Sequence, residues 1–251
     1  MKILIVGYGR MGREVEQVLV RRGHEIVGRV DEKPGVGDAP RPSPEMLKNA
    51  DAAIEFSLPE GVEGNAAVYA AAGLSAVVGT TGWKDAEPRV RALVEKSGIG
   101  FVTGSNFSIG AHIFFALVGE AARLIDPFED YDALLMEIHH NQKKDSPSGT
   151  ALTAAERVLA GLSRKKRIAT ERLDRRIAPD ELHVVSARVG TVPGTHTLLV
   201  DSAADSIEVV HTARSRSGFA LGAVLAAEWI AGKKGFYDVR DFIADKFSKG
   251  S

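Results

Sequence analysis

The 251-residue chain carries 32 basic and 33 acidic side chains, and its formal net charge of −1 favours neither nucleic acid nor a membrane surface as a partner. It contains no cysteine, which excludes disulfides, thiolate metal sites and a cysteine nucleophile. Its 44% hydrophobic and 26% charged residues are typical of a globular protein, and no window of about twenty residues is apolar enough to cross a membrane.

The first hundred residues alternate short apolar strands with helical stretches. Strands are predicted at Lys2–Val6, Glu25–Val30, Ala52–Phe56, Ala76–Val78 and Gly100–Val102. Short apolar strands separated by helices indicate parallel βαβ units, and therefore an α/β fold with a Rossmann-like doubly wound parallel sheet. The Pro- and Gly-rich stretch Pro34–Pro44 is predicted to be a surface loop. Because strand-like sequence begins at Lys2, we expect no signal peptide and a cytoplasmic location.

The character of the sequence changes near Ile109. Helices are predicted at Ala111–Ile125, Thr150–Leu162, Phe219–Ile230 and Tyr237–Phe247, and strands at Tyr131–Ile138, Leu182–Val189, Thr195–Val200 and Ile207–His211. Consecutive strands with short turns predict a mixed or antiparallel sheet, and hence a second, α+β domain. We expect a dinucleotide-binding domain over residues 1–108 and 218–251, and a substrate-binding and oligomerisation domain over residues 109–217.

A basic stretch, Arg164–Arg176, raises the question of nucleic acid. It is interrupted by Glu171 and Asp174 and contains no aromatic residue. Phosphate binding usually needs a larger basic surface, so we expect a solvated surface segment and no nucleic-acid partner.

A complete G-x-G-x-x-G pattern follows the first strand and opens a helix, in the run Gly7-Tyr8-Gly9-Arg10-Met11-Gly12. The first glycine permits a tight turn, the second lets the backbone approach a pyrophosphate, and the third lets the helix pack closely on the strand. The helix amino terminus presents free N–H groups to the phosphates, and Arg10 can add a positive charge. This context favours a dinucleotide site over a turn that binds nothing.

Asp31 closes the second strand, nineteen residues after Gly12. A carboxylate at this place accepts hydrogen bonds from the adenosine ribose and repels a 2′-phosphate. Its neighbour Glu32 is also acidic, so we expect NADH to be the preferred cofactor. Lys33 keeps NADPH possible, because a lysine nearby can meet the phosphate.

Two further turns follow parallel strands, Gly79-Thr80-Thr81-Gly82 and Ser105-Asn106-Phe107. The carboxyl ends of parallel strands line the ligand crevice of an open sheet, so these turns can contact the nicotinamide ribose or amide. Each turn taken alone is equally compatible with a plain structural connection.

The run Glu137–Ala151, EIHHNQKKDSPSGTA, carries the chemistry of the second half. Strand alternation points His139 and His140 to opposite sides, so one of them faces the ligand. Histidine suits delivery of a proton near neutral pH. Lys143 or Lys144 can hold an anion or supply a second proton.

The turn Ser148-Gly149-Thr150 precedes an apolar helix face and offers hydroxyls and free N–H groups as a carboxylate site. The run as a whole predicts a proton donor, a cation and an anion pocket, although a purely structural loop is the alternative. Adjacent histidines have the wrong spacing for two ligands on one helix face, so we expect no metal.

The same run matches in full the pattern E-x-H-H-x-x-K-x-D-x-P-S-G-T-A, by which the sequence resembles the dihydrodipicolinate (4-hydroxy-tetrahydrodipicolinate) reductase family of the diaminopimelate route to lysine. Further matches cover nearly the whole chain: Gly79–Gly82, Asn106–Ser108, Val192–His196, Ser215-Arg216 and Phe219-Ala220. Two features depart from the family: the first glycine turn is one residue shorter than in many members, and Glu32 stands where efficient NADPH users often have arginine.

The resemblance implies a role for each part of the motif. His139 is implied as the catalytic acid with Lys143, rather than Lys144, as its partner, and His140, Gly149 and Thr150 as contacts to substrate carboxylates. The implied cofactor contacts are Gly7 to Met11, Asp31, Gly79 to Thr81, and Gly104 to Phe107. It also implies a hinged two-domain subunit and a homotetramer built through the central sheets.

The implied activity is the NAD(P)H-dependent reduction of 4-hydroxy-tetrahydrodipicolinate, a cyclic dicarboxylate, to tetrahydrodipicolinate with loss of water. One alternative is another two-domain NAD(P)-dependent amino-acid dehydrogenase, which can share the first domain without the paired histidines. The other is a dinucleotide sensor without turnover. A sensor has no need of a proton donor beside an anion pocket, so the run Glu137–Ala151 argues against it.

Overall fold

The computed structural model describes residues 1–248, which form two compact units. The first unit comprises Met1–Ile109 together with the chain from Arg216 onward, and the second comprises Gly110–Ser215. The predicted tail of the dinucleotide-binding domain reaches residue 251, so its last three residues lie outside the described part of the chain.

A six-stranded parallel sheet is the centre of the first unit. In chain-order numbering its strands are β1 (Lys2–Val6), β2 (Glu25–Val30), β3 (Ala52–Glu55), β4 (Ser75–Val78), β5 (Gly100–Thr103) and β11 (Gly235–Asp238). They lie in the order β11-β5-β4-β3-β1-β2, with every neighbouring pair parallel. The strand order reverses between β1 and β3, where ligands bind in sheets of this kind. The predicted Rossmann-like doubly wound sheet is confirmed.

Helices cover both faces of this sheet. They are α1 (Arg10–Arg21), α2 (Pro44–Asn49), α3 (Val62–Ala72), α4 (Glu87–Ser97), α7 (Ser217–Ile230) and α8 (Val239–Ser248). Ile3 and Ile5 belong to the core shared with α1, α7 and α8, whereas Leu4 and Val6 belong to the core shared with α3 and α4. Burial on both faces explains why β1 is a continuous apolar run rather than an alternating one.

The last predicted helix, Tyr237–Phe247, is wrong at its start. Tyr237 and Asp238 belong to the edge strand β11, and the helix begins at Val239. The strand pairs in parallel with β5, and the Phe236 ring stacks on Phe101 of β5 with ring centroids 5.2 Å apart. Such a short strand, created by its neighbour, has no periodicity of its own in the sequence.

The second unit contains the predicted mixed sheet, which has five strands rather than the four expected. Its strands are β6 (Asp132–His139), β7 (Arg167–Ala169), β8 (Glu181–Arg188), β9 (Thr195–Asp201) and β10 (Ser206–Thr212), in the order β10-β9-β6-β8-β7. The pairs β6–β8 and β7–β8 are parallel, whereas β6–β9 and β9–β10 are antiparallel. Strand β7 corrects the expectation that Arg164–Arg176 is only a solvated segment, because Ala169 is buried at this edge of the sheet.

The two faces of the second sheet differ. Leu135, Leu182 and Leu198 pack against α5 (Ile109–Ile125) and α6 (Gly149–Gly161) in one apolar core. On the opposite face Met136 is 38% exposed and Val210 is 53% exposed. Alternation along β6 therefore points Glu137 and His139 toward the helix-covered face. Among residues 1–248, no helix is long and apolar enough to span a lipid bilayer.

Candidate active site

The turn between β1 and α1 contains the glycine pattern. Gly7 has a φ of +86°, and a Cβ there would lie 2.1 Å from the carbonyl oxygen of Phe56. A Cβ on Gly12 would lie 2.3 Å from the carbonyl oxygen of Gly7, so glycine is needed where α1 packs on the turn. A Cβ on Gly9 would meet no atom within 4 Å, which leaves open space before the helix. Gly9 provides no side-chain cap, and this leaves the first-turn amides of α1 available to an anion.

Asp31 follows β2 and is tied to the glycine turn through its carboxylate. Oδ2 accepts a hydrogen bond from the backbone N–H of Tyr8 at 2.9 Å, and Oδ1 accepts one from the N–H of Lys33 at 2.9 Å. The Tyr8 hydroxyl donates to Glu16, and the guanidinium of Arg13 lies 4.7 Å from the Tyr8 ring centroid. Asp31 therefore braces the glycine turn as well as offering a carboxylate to a ligand.

A cavity of about 850 Å³ opens beside this turn within the first unit. Of the predicted cofactor residues, Gly7, Gly9 and Asp31 line it, and Arg41 and Asn65 add polar groups that the sequence did not single out. The volume lies in the range of small-molecule and cofactor sites. Open space at the helix start and a carboxylate at the end of the second strand together fit a dinucleotide.

The predicted turn after β4 lies at the same carboxyl edge of the sheet but does not line this cavity. The Oγ1 of Thr80 accepts a hydrogen bond from the N–H of Ser57 at 2.8 Å. The N–H of Gly79 donates to the carbonyl of Glu55 at 2.8 Å, and a Cβ on Gly79 would lie 2.1 Å from the Phe56 ring. Gly79 and Thr80 thus join the turns after β3 and β4, while Thr81 is exposed.

The turn after β5 shows a similar division. Phe107 is buried, with its ring edge-on to Phe56 at 6.4 Å. Asn106 accepts a hydrogen bond from the N–H of Ser108 at 2.8 Å, and Gly104 is buried. Ser105 is exposed. These residues shape the carboxyl edge of the sheet, outside the cavity lining.

The carboxylate of Glu137 is the centre of the polar cluster in the second unit. Its side chain is fully buried, and Oε1 accepts hydrogen bonds from the N–H of Ser148 at 3.0 Å and from Nη2 of Arg188 at 3.1 Å. Oε2 lies 3.2 Å from Nδ1 of His139 and 3.6 Å from Nε2 of His196, close contacts without full hydrogen-bond alignment. Burial opposes ionisation, but the contacts from His196 and Ser148 outweigh it and hold the pKa of Glu137 well below its usual range.

His139 ends β6 and is buried with its two nitrogens in different surroundings. Nδ1 faces Glu137, whereas Nε2 faces Gly194, where a Cβ would lie 2.8 Å from that nitrogen. Burial lowers the pKa of His139 to about 4; Glu137 opposes this shift, and the cations Lys143 and Arg188 add to it. The imidazole is therefore neutral at pH 7 in the ligand-free protein.

Two further histidines extend this cluster. The rings of His196 on β9 and His211 on β10 are nearly parallel, with centroids 6.1 Å apart. Phe114 of α5 lies 6.3 Å from the His196 ring and 5.9 Å from the His211 ring. Burial lowers the pKa of His211, and the nearby His196 adds to this shift.

Ser148 begins α6 as its N-cap. Its Oγ accepts a hydrogen bond from the N–H of Ala151 at 3.1 Å and lies 3.3 Å from Nε2 of His196. Ser148 is 2% exposed, and its hydroxyl oxygen contacts Ala151 and His196. Gly149 is exposed, Thr150 is partly exposed, and a Cβ on Gly149 would meet no atom within 4 Å. The open part of the predicted anion site is thus the helix start at Gly149 and Thr150.

Lys143 lies in the loop between β6 and α6. Its Nζ is 2.8 Å from a carboxylate oxygen of Asp145, and its N–H donates to the carbonyl of His140 at 3.1 Å. Arg188 donates to the backbone carbonyl of Asp145 and so links the loop to Glu137. Lys144 is exposed, and His140 is half-buried just beyond the strand. The structure therefore brings Lys143, rather than Lys144, into the polar cluster.

The trio Glu137, His139 and His196 has the composition of a metal site, with one candidate atom from each within 4.8 Å of the others. The Arg188 guanidinium on the same carboxylate, and the nearby Lys143 ammonium, oppose a further cation there. The expectation that this chain binds no metal stays a prediction.

Comparison with known families covers both units. A family model described as dihydrodipicolinate reductase, N-terminus, matches residues 1–107, and one described as dihydrodipicolinate reductase, C-terminus, matches residues 110–243. The chain belongs to the dihydrodipicolinate reductase family. The resemblance inferred from the motifs is confirmed, and the chain is an NAD(P)H-dependent oxidoreductase of this family.

Full-length relatives and a solved structure agree with this family assignment. The 4-hydroxy-tetrahydrodipicolinate reductase of Christiangramia forsetii is 39% identical over an alignment of 250 positions, which covers 98% of this chain and 99% of the relative. The enzyme of that name from Archaeoglobus fulgidus is 37% identical over an alignment of 262 positions, which covers 97% of this chain and 100% of the relative. A dipicolinate-bound dihydrodipicolinate reductase from Paenisporosarcina sp. TG-14 has a TM-score of 0.74 at 20% identity, over 96% of this chain and 98% of its own, and shares the fold.

Within the dihydrodipicolinate reductase family, the alternative interpretations as an amino-acid dehydrogenase or a sensor are not favoured. The sequence reasoning missed Glu137, Arg188 and His196 as parts of the site. Glu137 precedes His139 by two residues, so strand alternation alone puts both on one face and could have identified it. Arg188 lies opposite His139, and His196 lies opposite Glu137, through sheet registers that the sequence does not reveal.

Proposed function

We propose that this reductase converts 4-hydroxy-tetrahydrodipicolinate into tetrahydrodipicolinate, with NAD(P)H as reductant and loss of water, in the diaminopimelate route to lysine. The observation that carries the proposal is the buried pair His139 and Glu137 beside the open helix start at Gly149 and Thr150. Such a pair can move a proton while the helix start holds a carboxylate. The full-length relatives of that name support the same substrate.

The chemistry requires one hydride and one proton. Loss of the ring hydroxyl as water leaves a conjugated C=C–C=N system in the substrate. When bound, the reduced nicotinamide supplies a hydride to ring carbon 4, and electron density moves toward the imine nitrogen. His139 then delivers a proton to the adjacent ring carbon from its imidazolium form.

The protonated form of His139 depends on the substrate in this proposal. The ring is neutral at pH 7 in the free protein, because burial lowers its pKa to about 4. A substrate with two carboxylates brings negative charge to the cluster, and negative charge favours the imidazolium. Proton uptake therefore accompanies substrate binding and converts His139 into the imidazolium that can act as the acid.

Substrate carboxylates are held by His140, Lys143 and the helix start at Gly149 and Thr150. In the free protein the Lys143 ammonium is ion-paired with Asp145, so a substrate carboxylate competes with Asp145 for Lys143. We assign Ser148 a supporting role, because its hydroxyl caps α6 and contacts His196. It keeps the N–H groups of the anion site in place.

The cofactor is held by the glycine turn, from Gly7 through Tyr8, Gly9, Arg10 and Met11 to Gly12, and by Asp31. The turns Gly79–Thr81 and Gly104–Phe107 complete the nicotinamide side. We propose that NADH is preferred, since Asp31 and Glu32 line the cavity with negative charge that repels a 2′-phosphate. Lys33 and Arg41 line the same cavity, which keeps NADPH as a usable second cofactor.

We also propose a cytoplasmic homotetramer assembled through the open face of the second sheet. Met136 and Val210 are exposed apolar side chains on that face. Their burial against a second copy is the physical reason for assembly. Light scattering measures the mass, and Met136→Glu with Val210→Glu should give smaller particles. An unchanged mass in this double variant would exclude the face as the contact.

The activity is tested by following the near-ultraviolet absorbance of the reduced nicotinamide. The unstable substrate is generated in situ from pyruvate and aspartate semialdehyde by the upstream synthase, with NADH and NADPH run in parallel. Oxidation should require the synthase, and His139→Gln should lower kcat. Lys143→Ala should reduce activity, whereas Lys144→Ala, its exposed neighbour, serves as the matched control. Cofactor binding without synthase-dependent oxidation would contradict the proposed activity.

A further inference from the structure

Glu137 contacts both parts of the proposed site without being accessible to a ligand. Its Oε1 holds the N–H of Ser148 at the start of α6, and its Oε2 lies 3.2 Å from Nδ1 of His139. The side chain is 0% exposed, so its effect on any bound molecule acts through these neighbours. In the proposed reaction Glu137 neither touches the substrate nor gives up a proton itself.

The surroundings of the His139 ring distinguish its two nitrogens. Nδ1 lies beside the Glu137 carboxylate, an acceptor that favours a proton on that nitrogen. Nε2 lies over Gly194. When the ring takes up a second proton, that proton therefore goes to Nε2, away from the buried carboxylate.

We infer that Glu137 is the positioning residue for proton transfer: its charge fixes the His139 ring with Nδ1 inward and stabilises the imidazolium that donates from Nε2. The inference rests on the proposed function, in which His139 is the acid. Through Ser148, the same carboxylate also holds the start of the anion site.

The charges around His139 act in opposite directions. Titratable or charged groups approach the cluster from every element packed on it: Glu137 on β6, Arg188 on β8, His196 on β9, His211 behind it on β10, and Lys143 with Asp145 in the loop before α6. Glu137 favours the imidazolium, whereas Arg188 and Lys143 disfavour it. Removing Glu137 or Arg188 should therefore shift the titration of His139 in opposite directions.

Glu137→Gln is the decisive variant. The amide has nearly the same size, and its oxygen can still accept the Ser148 N–H, but it carries no charge. Turnover needs protonated His139, so kcat falls as pH rises through the pKa of that ring in the substrate complex. Loss of the adjacent negative charge lowers this pKa, and the alkaline limb of the kcat profile should move down by about one to three pH units. We expect kcat at pH 7.5 to fall at least about tenfold, with little change in KM.

Two variants provide controls of opposite kinds. Arg188→Gln should move the alkaline limb to higher pH, because a cation is removed from the same carboxylate. Glu181→Gln is matched to Glu137→Gln, since Glu181 is also buried and ion-paired, with Arg167 and Arg175, but lies at the opposite end of β8. It should lower stability and leave the limb in place.

A second readout does not depend on turnover. Nitrogen-15 spectra of the histidine rings distinguish a proton on Nδ1 from one on Nε2. Wild-type His139 should carry its proton on Nδ1, and Glu137→Gln should shift the population toward Nε2. Cooperative melting and NADH binding show that each variant is folded.

The outcomes separate the inference from the proposed function. A wild-type enzyme that turns over while Glu137→Gln keeps its alkaline limb would overturn the inference and leave the function standing. A wild-type His139 protonated on Nε2 would overturn it even if the variant fails to fold. A wild-type enzyme without synthase-dependent oxidation removes the proposed function, and the nitrogen-15 result then decides the ring orientation alone.

Discussion

Replacing Gly194 with alanine tests whether the position of the His139 ring limits turnover. Gly194 has a φ of +152°, and a Cβ there would lie 2.8 Å from Nε2 of His139. The imidazole must withdraw by about 0.6 Å to reach an ordinary contact of 3.4 Å. Misplacing a reacting group by about 1 Å costs on the order of 10²-fold in rate. We therefore expect kcat to fall about 10- to 100-fold, equivalent to about 1.4 to 2.7 kcal/mol of transition-state stabilisation.

Gly190→Ala is the control for this variant. Gly190 also has a positive φ, +49°, but a Cβ there would meet no atom within 4 Å. Both substitutions put an L-residue into strained backbone, so the free energy of unfolding should fall in each by about 1 to 3 kcal/mol. Urea denaturation measures that loss, and the synthase-coupled assay measures kcat. Equal kcat values in the two variants would refute the idea that Gly194 exists to accommodate the His139 ring.

Four further outcomes are expected. Gly9→Ala should weaken NADH binding at least about tenfold without changing the melting temperature, because its Cβ would enter open space in front of the helix amides. Gly12→Ala should lower both the affinity for NADH and the melting temperature. Titration calorimetry measures the affinity, and thermal melts measure the stability. Ser148→Ala should lower the free energy of unfolding by about 1 kcal/mol through loss of the α6 cap, and raise KM more than it lowers kcat. Dipicolinate binding at pH 7 should take up protons, because the dianion raises the pKa of His139 from about 4, and uptake should vanish as pH falls below that value. Calorimetry in buffers of different ionisation enthalpy measures the uptake, and identical heats in all buffers would contradict it.

The strands of the first sheet show where sequence reasoning succeeds. Strands β1 and β2 have the predicted ends. The reason is clear for β1, because a buried parallel strand is a continuous apolar run bounded by polar turns. Strands β7 and β11, of three and four residues, were missed. Strands β3, β4 and β5 are as short as β11, but they are mostly buried apolar runs. The residues of β11 are all only partly buried and β7 has one buried residue, so neither shows such a run; they pair with β5 and β8 at the edges of the two sheets.

The polar cluster shows a similar limit. His139, Lys143 and the turn at Ser148 are close in sequence, so the motif alone identified that region. Arg188 and His196 enter through strand register, which depends on how the whole second sheet assembles. The Ser148 hydroxyl, predicted to meet substrate, caps α6 in the structure. Its contact with substrate stays a prediction, because a helix-start serine can serve either role.

The pKa of His139 was harder to predict from the sequence than its position in the site. An unperturbed histidine titrates near pH 6.5, which made His139 an obvious proton donor at neutral pH. Burial lowers its pKa to about 4. The His196 ring of β9 lies 5.1 Å from the His139 ring, a contact between strands that the sequence around the motif does not reveal.

The first unit is discontinuous in the chain, and this has a consequence for folding during synthesis. Its sheet needs β11 and its core needs α7, both of which follow the whole second unit, residues 110–215. At about 5 to 20 residues per second, translating that insert takes on the order of 5 to 20 seconds. During this interval the apolar faces of β1 to β5 lack the helix and edge strand that cover them. The second unit is contiguous, so it completes its own core first even though its synthesis begins later.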